Sequence, residues 1–134
     1  MFGHKAKNTI ESLIGLTTRI EGDIRFKGGL RIDGQVTGNV IAESGEMSML
    51  VISEQARVEG EVRAAHLVVN GEIVGPVYCT ELLELQPKAR ITGDVHYKAL
   101  EMHGGALIAG MLTHDQAGEQ VLKLAAPKLT ASAA

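Results

Sequence analysis

Aromatic side chains are nearly missing from this sequence, which has no tryptophan, two tyrosines and two phenylalanines in 134 residues. Ordinary globular layers use such rings to fill the wide spaces between them. A hydrophobic fraction of 45% without them implies a narrow interior filled by Val, Ile, Leu and Ala. Cysteine is equally scarce. The one thiol, Cys79, excludes an intrachain disulfide, and with no long apolar core near the N-terminus this fits a reducing, cytoplasmic setting. Apolar runs such as "MLVI", residues 49–52, are far shorter than the roughly 20 residues that a membrane-spanning helix needs. A basic surplus is missing too: the net charge is -3 and no dense Lys/Arg stripe occurs, which argues against a nucleic-acid partner.

Glycine is what the chain has, with 16 residues, and many of them open the same phrase: Gly, a polar residue, then Val or Ile. The stretch "RIDGQVTGNV", residues 31–40, contains it twice. Taking one phrase per turn, Gly22, Gly38, Gly60, Gly75, Gly93 and Gly110 are spaced by 16, 22, 15, 18 and 17 residues, close to 18 on average. An internal period of that size is the signature of a solenoid. Between glycines, "ARVEGEV" is echoed by "ARITGDV", and "LRIDGQVTGNV" by "LVVNGEIVGPV". Aliphatic and polar residues alternate within each echo, which is the pattern of short strands with one buried face.

About 18 residues at roughly 3.3 Å each make a coil near 60 Å in contour, the perimeter of a small triangle of three strands. Stacked coils then pair strand on strand in parallel. The fold predicted is an all-β, single-domain parallel β-helix of about six coils over residues 19–114, flanked by flexible tails at residues 1–18 and 115–134. Glycine at a corner supplies positive φ or lets one coil approach the next, and the Val or Ile that follows turns inward. The long interval from Gly38 to Gly60 places an inserted loop at residues 43–49.

No catalytic or binding chemistry stands out. The histidines, His4, His66, His96, His103 and His114, show no metal-ligand spacing, and Cys79 has no Cys or His nearby, so neither a metal nor a cofactor is expected. No Walker-type loop exists, so no nucleotide is expected. Asp23, Asp33, Glu59, Glu61, Glu72 and Asp94 sit beside corner glycines and read as solvated corners rather than as hydrolase carboxylates. A hexapeptide-type acyltransferase is disfavoured because the inserted loop carries no histidine. The chain is expected not to be an enzyme.

A solenoid exposes unpaired strand edges and a cross-section of its core at each end, and single molecules normally cap them. Here "TIESLIGLTTRI" and "YKALEMHGGALIAGML" stay apolar with no strong amphipathic cap, which marks Ile20, Ile24, Leu107, Ile108 and Leu112 as a candidate end-to-end polymer interface. The competing reading is a monomeric β-solenoid binding module whose own tails cover the ends.

Together the repeated "RIDGxVxG" and "VxGEV" phrases, most specific at residues 32–38, and the start "MFGHKAK" resemble the bactofilins, bacterial cytoskeletal proteins. The resemblance implies a right-handed parallel β-helix that polymerises without nucleotide into non-polar filaments. It also implies a place at the inner face of the cytoplasmic membrane, with cell-wall and cell-shape proteins as clients. Met1, Phe2, Lys5 and Lys7 match the family's membrane-targeting segment. One Phe and two Lys contribute only about 2 to 4 kcal/mol near an anionic surface, so such an anchor holds only when many copies act together on one filament.

Overall fold

The computed structural model describes residues 10–43 and 47–115. Six coils follow one another, each laying one strand on each of three faces. The first contains β1 (Ile10–Ile14), β2 (Arg19–Glu21) and β3 (Ile24–Phe26), and the second β4 (Gly28–Ile32), β5 (Gln35–Thr37) and β6 (Val40–Ala42). The third consists of β7 (Ser48–Ile52), β8 (Arg57–Glu59) and the first half of β9 (Val62–Val69). The second half of β9 opens the fourth coil, which continues through β10 (Glu72–Val74) into β11 (Val77–Leu85). The fifth runs from the end of β11 through β12 (Arg90–Thr92) and β13 (Val95–Tyr97), and the sixth is β14 (Ala99–Met102), β15 (Leu107–Ala109) and β16 (Leu112–His114). Every pairing is parallel, coil on coil, and there is no helix among the described residues.

The core is built of columns. On the second face Ile20, Val36, Val58, Ile73, Ile91 and Ile108 stack in register. On the third, Ile24, Val40, Val62, Val77, Val95 and Leu112 do the same. The first face contributes Leu30, Leu50, Leu67, Leu83 and Leu100, with Ile14, Ile32, Ile52, Val69, Leu85 and Met102 alongside. Members in the middle coils are fully buried. At about 1.5 to 3 kcal/mol for each buried aliphatic side chain, these columns are the main source of stability. The expected narrow interior is present, and among the described residues Phe26, near one end, is the only buried aromatic ring.

Glycine at the repeated phrase meets both requirements inferred from the sequence. Gly38 has φ +149, and a Cβ on it would lie 2.2 Å from the Gly22 carbonyl oxygen. Gly93, at φ +144, stands in the same relation to Gly75. The corner between first and second faces varies in length. Tight corners at Gly34 and Gly71 leave no room for a Cβ against the turn below, at 2.2 Å from the Thr18 and Ser53 carbonyl oxygens respectively. Wider turns, closed by the N–H of Ala56 to Ser53, of Ala89 to Gln86 and of Ala106 to His103, occupy that corner in the third, fifth and sixth coils. This alternation, together with the segment between β6 and β7 and a register shift within β11, is why the spacing departs from an even period.

Two boundaries differ from the sequence reading. The β-helix begins at Ile10 rather than at residue 19, because β1 pairs with β4 although it lacks the glycine phrase and its register breaks between Ile10 and Ser12. Of the expected loop at residues 43–49, Ser48 and Met49 belong to β7, whereas residues 44–46 lie outside the described residues.

Candidate polymer interface

A column of core residues ends abruptly at each end of the molecule. Leu85 and Val95 are 0% exposed, but Met102 and Leu112, their equivalents one coil later, are 48% and 43% exposed. Ile108 and Leu100 are likewise only partly covered. At the other end Ile20 and Ile24 lie half-open beyond the buried Val36 and Val40. On the first face and the second, β14, β15, β1 and β2 are edge strands, so backbone donors and acceptors accompany the apolar surface.

Ile20, Ile24, Ile108 and Leu112 therefore sit where the sequence placed them, in core-facing columns at the terminal coils. Leu107 does not point inward. It is in register with Arg90, in the outward column of the second face, and is 61% exposed. The run "GALIAGML" is apolar on both faces, so alternation there cannot say which residue faces the core. Met1, Phe2, Lys5 and Lys7 lie outside the described residues.

At three corners the residue after the glycine ties one coil to the next. The Asp23 carboxylate accepts the N–H of Asn39 at 2.9 Å, the Asn39 amide oxygen accepts the N–H of Glu61 at 2.9 Å, and the Asp94 carboxylate accepts the N–H of Met111 at 3.0 Å. Asp23 and Asp94 are thus structural acceptors rather than merely solvated. Asp33 is another: the Ser53 hydroxyl, and then the Arg31 guanidinium, hold its carboxyl below the usual range. The remaining corner carboxylates pair with guanidinium groups, Glu59 and Glu72 with Arg57 at 2.6 and 2.7 Å, and Glu61 with Arg63. In the last coil this position is Met111, 67% exposed, which has no oxygen to offer a following N–H.

Residues 12–113 match the family model described as Bactofilin: Polymer-forming cytoskeletal. The chain belongs to the bactofilin family. Among curated bactofilins it is 24% identical to BacP of Myxococcus xanthus over 105 residues, covering 78% of this chain and 42% of BacP, and 23% identical to BacO of the same organism over 104 residues, covering 78% and 79%. The match thus spans less than half the length of BacP. Among solved structures, the solid-state NMR structure of the cytoskeletal bactofilin BacA superposes with a TM-score of 0.67 at 31% identity, covering 78% of this chain and 95% of that one. The cryo-EM reconstruction of Thermus thermophilus bactofilin double helical filaments superposes at 0.61 with 32% identity, covering 78% and 100%.

Three features of this bactofilin were not found from its sequence. The first is an outward apolar patch on the middle of the first face, where Met49, His66 and Leu82 form one column and Val51 and Val68 lie in the next. The signal was present in "MLVI" and "LVV", in which no polar residue fills the alternate positions. The second is a ladder on the third face: Arg63 lies 4.1 Å from the Tyr78 ring centroid, and Tyr78 stacks on His96 at 4.7 Å. The third is a group of Glu84, Glu101 and His103, whose possible ligand atoms all lie within 4.8 Å of one another. Its members come from two coils, so local spacing could not reveal it. No helix among the described residues is long and apolar enough to cross a membrane.

Proposed function

We propose that this bactofilin is a structural scaffold whose molecules join end to end, without nucleotide, into filaments lying on the inner face of the cytoplasmic membrane. There the filaments gather cell-wall or cell-shape proteins. The observation that carries this reading is the apolar cross-section of the core left open at both terminal coils. Burying it continues the columns from one molecule into the next. Non-polar filaments, which the family resemblance implies, need joints between like ends. Like-to-like joints alternate along the filament and leave it without polarity.

Purified protein without added nucleotide should sediment as filaments visible by negative stain. A monodisperse monomer at micromolar concentration would favour the capped binding module instead. Membrane attachment is tested by flotation with anionic liposomes: deleting residues 1–7 should leave polymerisation intact and abolish flotation. Equal flotation of the truncated filament would move membrane contact away from the N-terminal segment.

A second mode of association is favoured by the apolar patch of Met49, Val51, Val68 and Leu82. The similar Thermus thermophilus protein forms double helical filaments, and a side-by-side pairing of filaments would cover this face. Replacing Val51 and Val68 with Lys should then leave single filaments.

A further inference from the structure

We propose that Glu84, Glu101 and His103 form a binding site for a divalent transition metal, with Zn2+ as the ion best suited to the donors. The parallel register between β11 and β14 sets Glu84 directly beside Glu101, in the outward column that runs through Arg31, Val51 and Val68. Two residues on, and so on the same side of the sheet, Gln86 follows Glu84 and His103 follows Glu101. The four side chains make a square. Its backbone is fixed: the His103 N–H donates to the Leu85 carbonyl at 2.9 Å, and the His103 carbonyl accepts the N–H of Ala106 at 3.2 Å.

Two independent observations point to a cation. One is the donor set, two carboxylate oxygens and an imidazole nitrogen all within 4.8 Å of one another. Metal bonds of about 2.0 to 2.2 Å bring such donors within roughly 4 Å of each other, a distance these exposed side chains reach by small rotations. Imidazole in the set selects transition metals over Ca2+ or Mg2+, which prefer oxygen alone. The other observation is the charge pattern. Five carboxylates elsewhere on the surface are matched to a cation, Asp33 by Arg31, Glu59 and Glu72 by Arg57, Glu61 by Arg63 and Glu54 by Lys88, whereas others without an ion pair, such as Glu21 and Glu81, have no second carboxylate in register beside them. Glu84 and Glu101 face each other in register and appear in no ion pair among the described residues, an arrangement that is unfavourable for like charges on neighbouring strands. Gln86 donates to the Glu84 carboxylate at 2.6 Å, the outer contact that orients a metal-binding carboxylate.

Placement gives the site a role. Glu101 and His103 lie on the last coil, where β14 is an edge strand, so the metal would sit at the rim of the end that joins another molecule. Neutralising the paired carboxylates there removes repulsion from an approaching end, and this coupling rests on the end-to-end reading. Metal should favour assembly.

The test is titration of the full chain with Zn2+ by calorimetry and with Co2+ by visible absorption, beside sedimentation in Zn2+ or in EDTA. We expect one ion per chain, with affinity falling tenfold or more in His103→Ala and Glu101→Gln and less in Gln86→Ala, whereas His114→Ala binds as wild type does. Circular dichroism confirms that each variant is folded. Absence of saturable binding, or equal binding in folded His103→Ala and Glu101→Gln, overturns the site. Binding that depends on these residues but leaves sedimentation unchanged, in a protein that polymerises, overturns the coupling alone. A protein that binds the ion yet never polymerises refutes the filament reading and retains the site.

Discussion

Alanine at Gly38 should be far more damaging than alanine at Gly22, although both glycines open the same phrase and both have positive φ. Gly22 has φ +133 with nothing within 4 Å of an added Cβ, so the expected cost is the backbone strain alone, about 1 to 3 kcal/mol. At Gly38, φ is +149 and the Cβ would lie 2.2 Å from the Gly22 oxygen and 2.5 Å from its carbon. Those atoms are backbone of the coil below and cannot rotate away. Separating the first two coils stretches the bonds from the Gly22 N–H to Thr37 and from the Ile24 N–H to Asn39, each 2.8 Å. Added to that strain, about 1 to 3 kcal/mol for overpacking and about 1 for each weakened bond give a total of about 4 to 8 kcal/mol, a large part of a small domain's stability. Gly104→Ala is the control: it has neither positive φ nor a neighbour within 4 Å and should be neutral or slightly stabilising. Urea unfolding followed by circular dichroism, at a concentration where nothing sediments, measures all three. Equal losses at Gly22 and Gly38 would refute the close-approach argument, and no loss at either would refute the whole account of the repeated phrase.

Ile24→Lys or Ile108→Lys should bury an unpaired ion at a joint, at a cost of several kcal/mol, and shorten filaments to dimers; Leu107→Lys, on the outward face, should leave their length unchanged by sedimentation and negative stain. Asn39→Ala leaves the Glu61 N–H unsatisfied inside the stack and should lower stability by about 1 to 2 kcal/mol in the same unfolding assay. Burial pushes the Cys79 thiol up to about 11, so a thiol reagent at pH 8 should label it only as the protein unfolds. Because the folded state holds this proton more tightly than the unfolded chain, the stability it contributes is complete below the ordinary value of 9.0. That stability declines as pH rises towards 11, and a flat unfolding profile across this window would contradict the assignment.

The columns were legible in the sequence because each coil repeats its inward residues at a near-constant interval, and the glycine phrase marked where the chain turns. Ile20, Ile24, Ile108 and Leu112 followed directly from that pattern. Leu107 did not, because alternation fails as evidence wherever both faces of a strand are apolar. Strand β1 was missed for the opposite reason: "IESLI" carries polar residues and a register break, and only its partner β4 gives it strand character. The Glu84, Glu101 and His103 group depends on which residues a full coil brings side by side. That requires the exact length of each corner, and corners vary between tight and wide forms.

The corners carry one more consequence. The variation in coil length is absorbed outside the core columns, in the wide turns closed by Thr18, Ala56, Ala89 and Ala106, in the segment between β6 and β7, and in the register shift within β11. The columns themselves meet without gaps from Ile20 to Ile108 and from Ile24 to Leu112. The number of coils is therefore a free parameter of this architecture. Excising residues 76–93 would join Gly75 to Asp94 and set Val95 upon Val62, so that a five-coil protein keeps the core-facing columns of both terminal coils and loses Glu84 and Gln86. Gene duplication or loss in units of one coil alters the length of the subunit without redesigning the core-facing columns of its terminal coils.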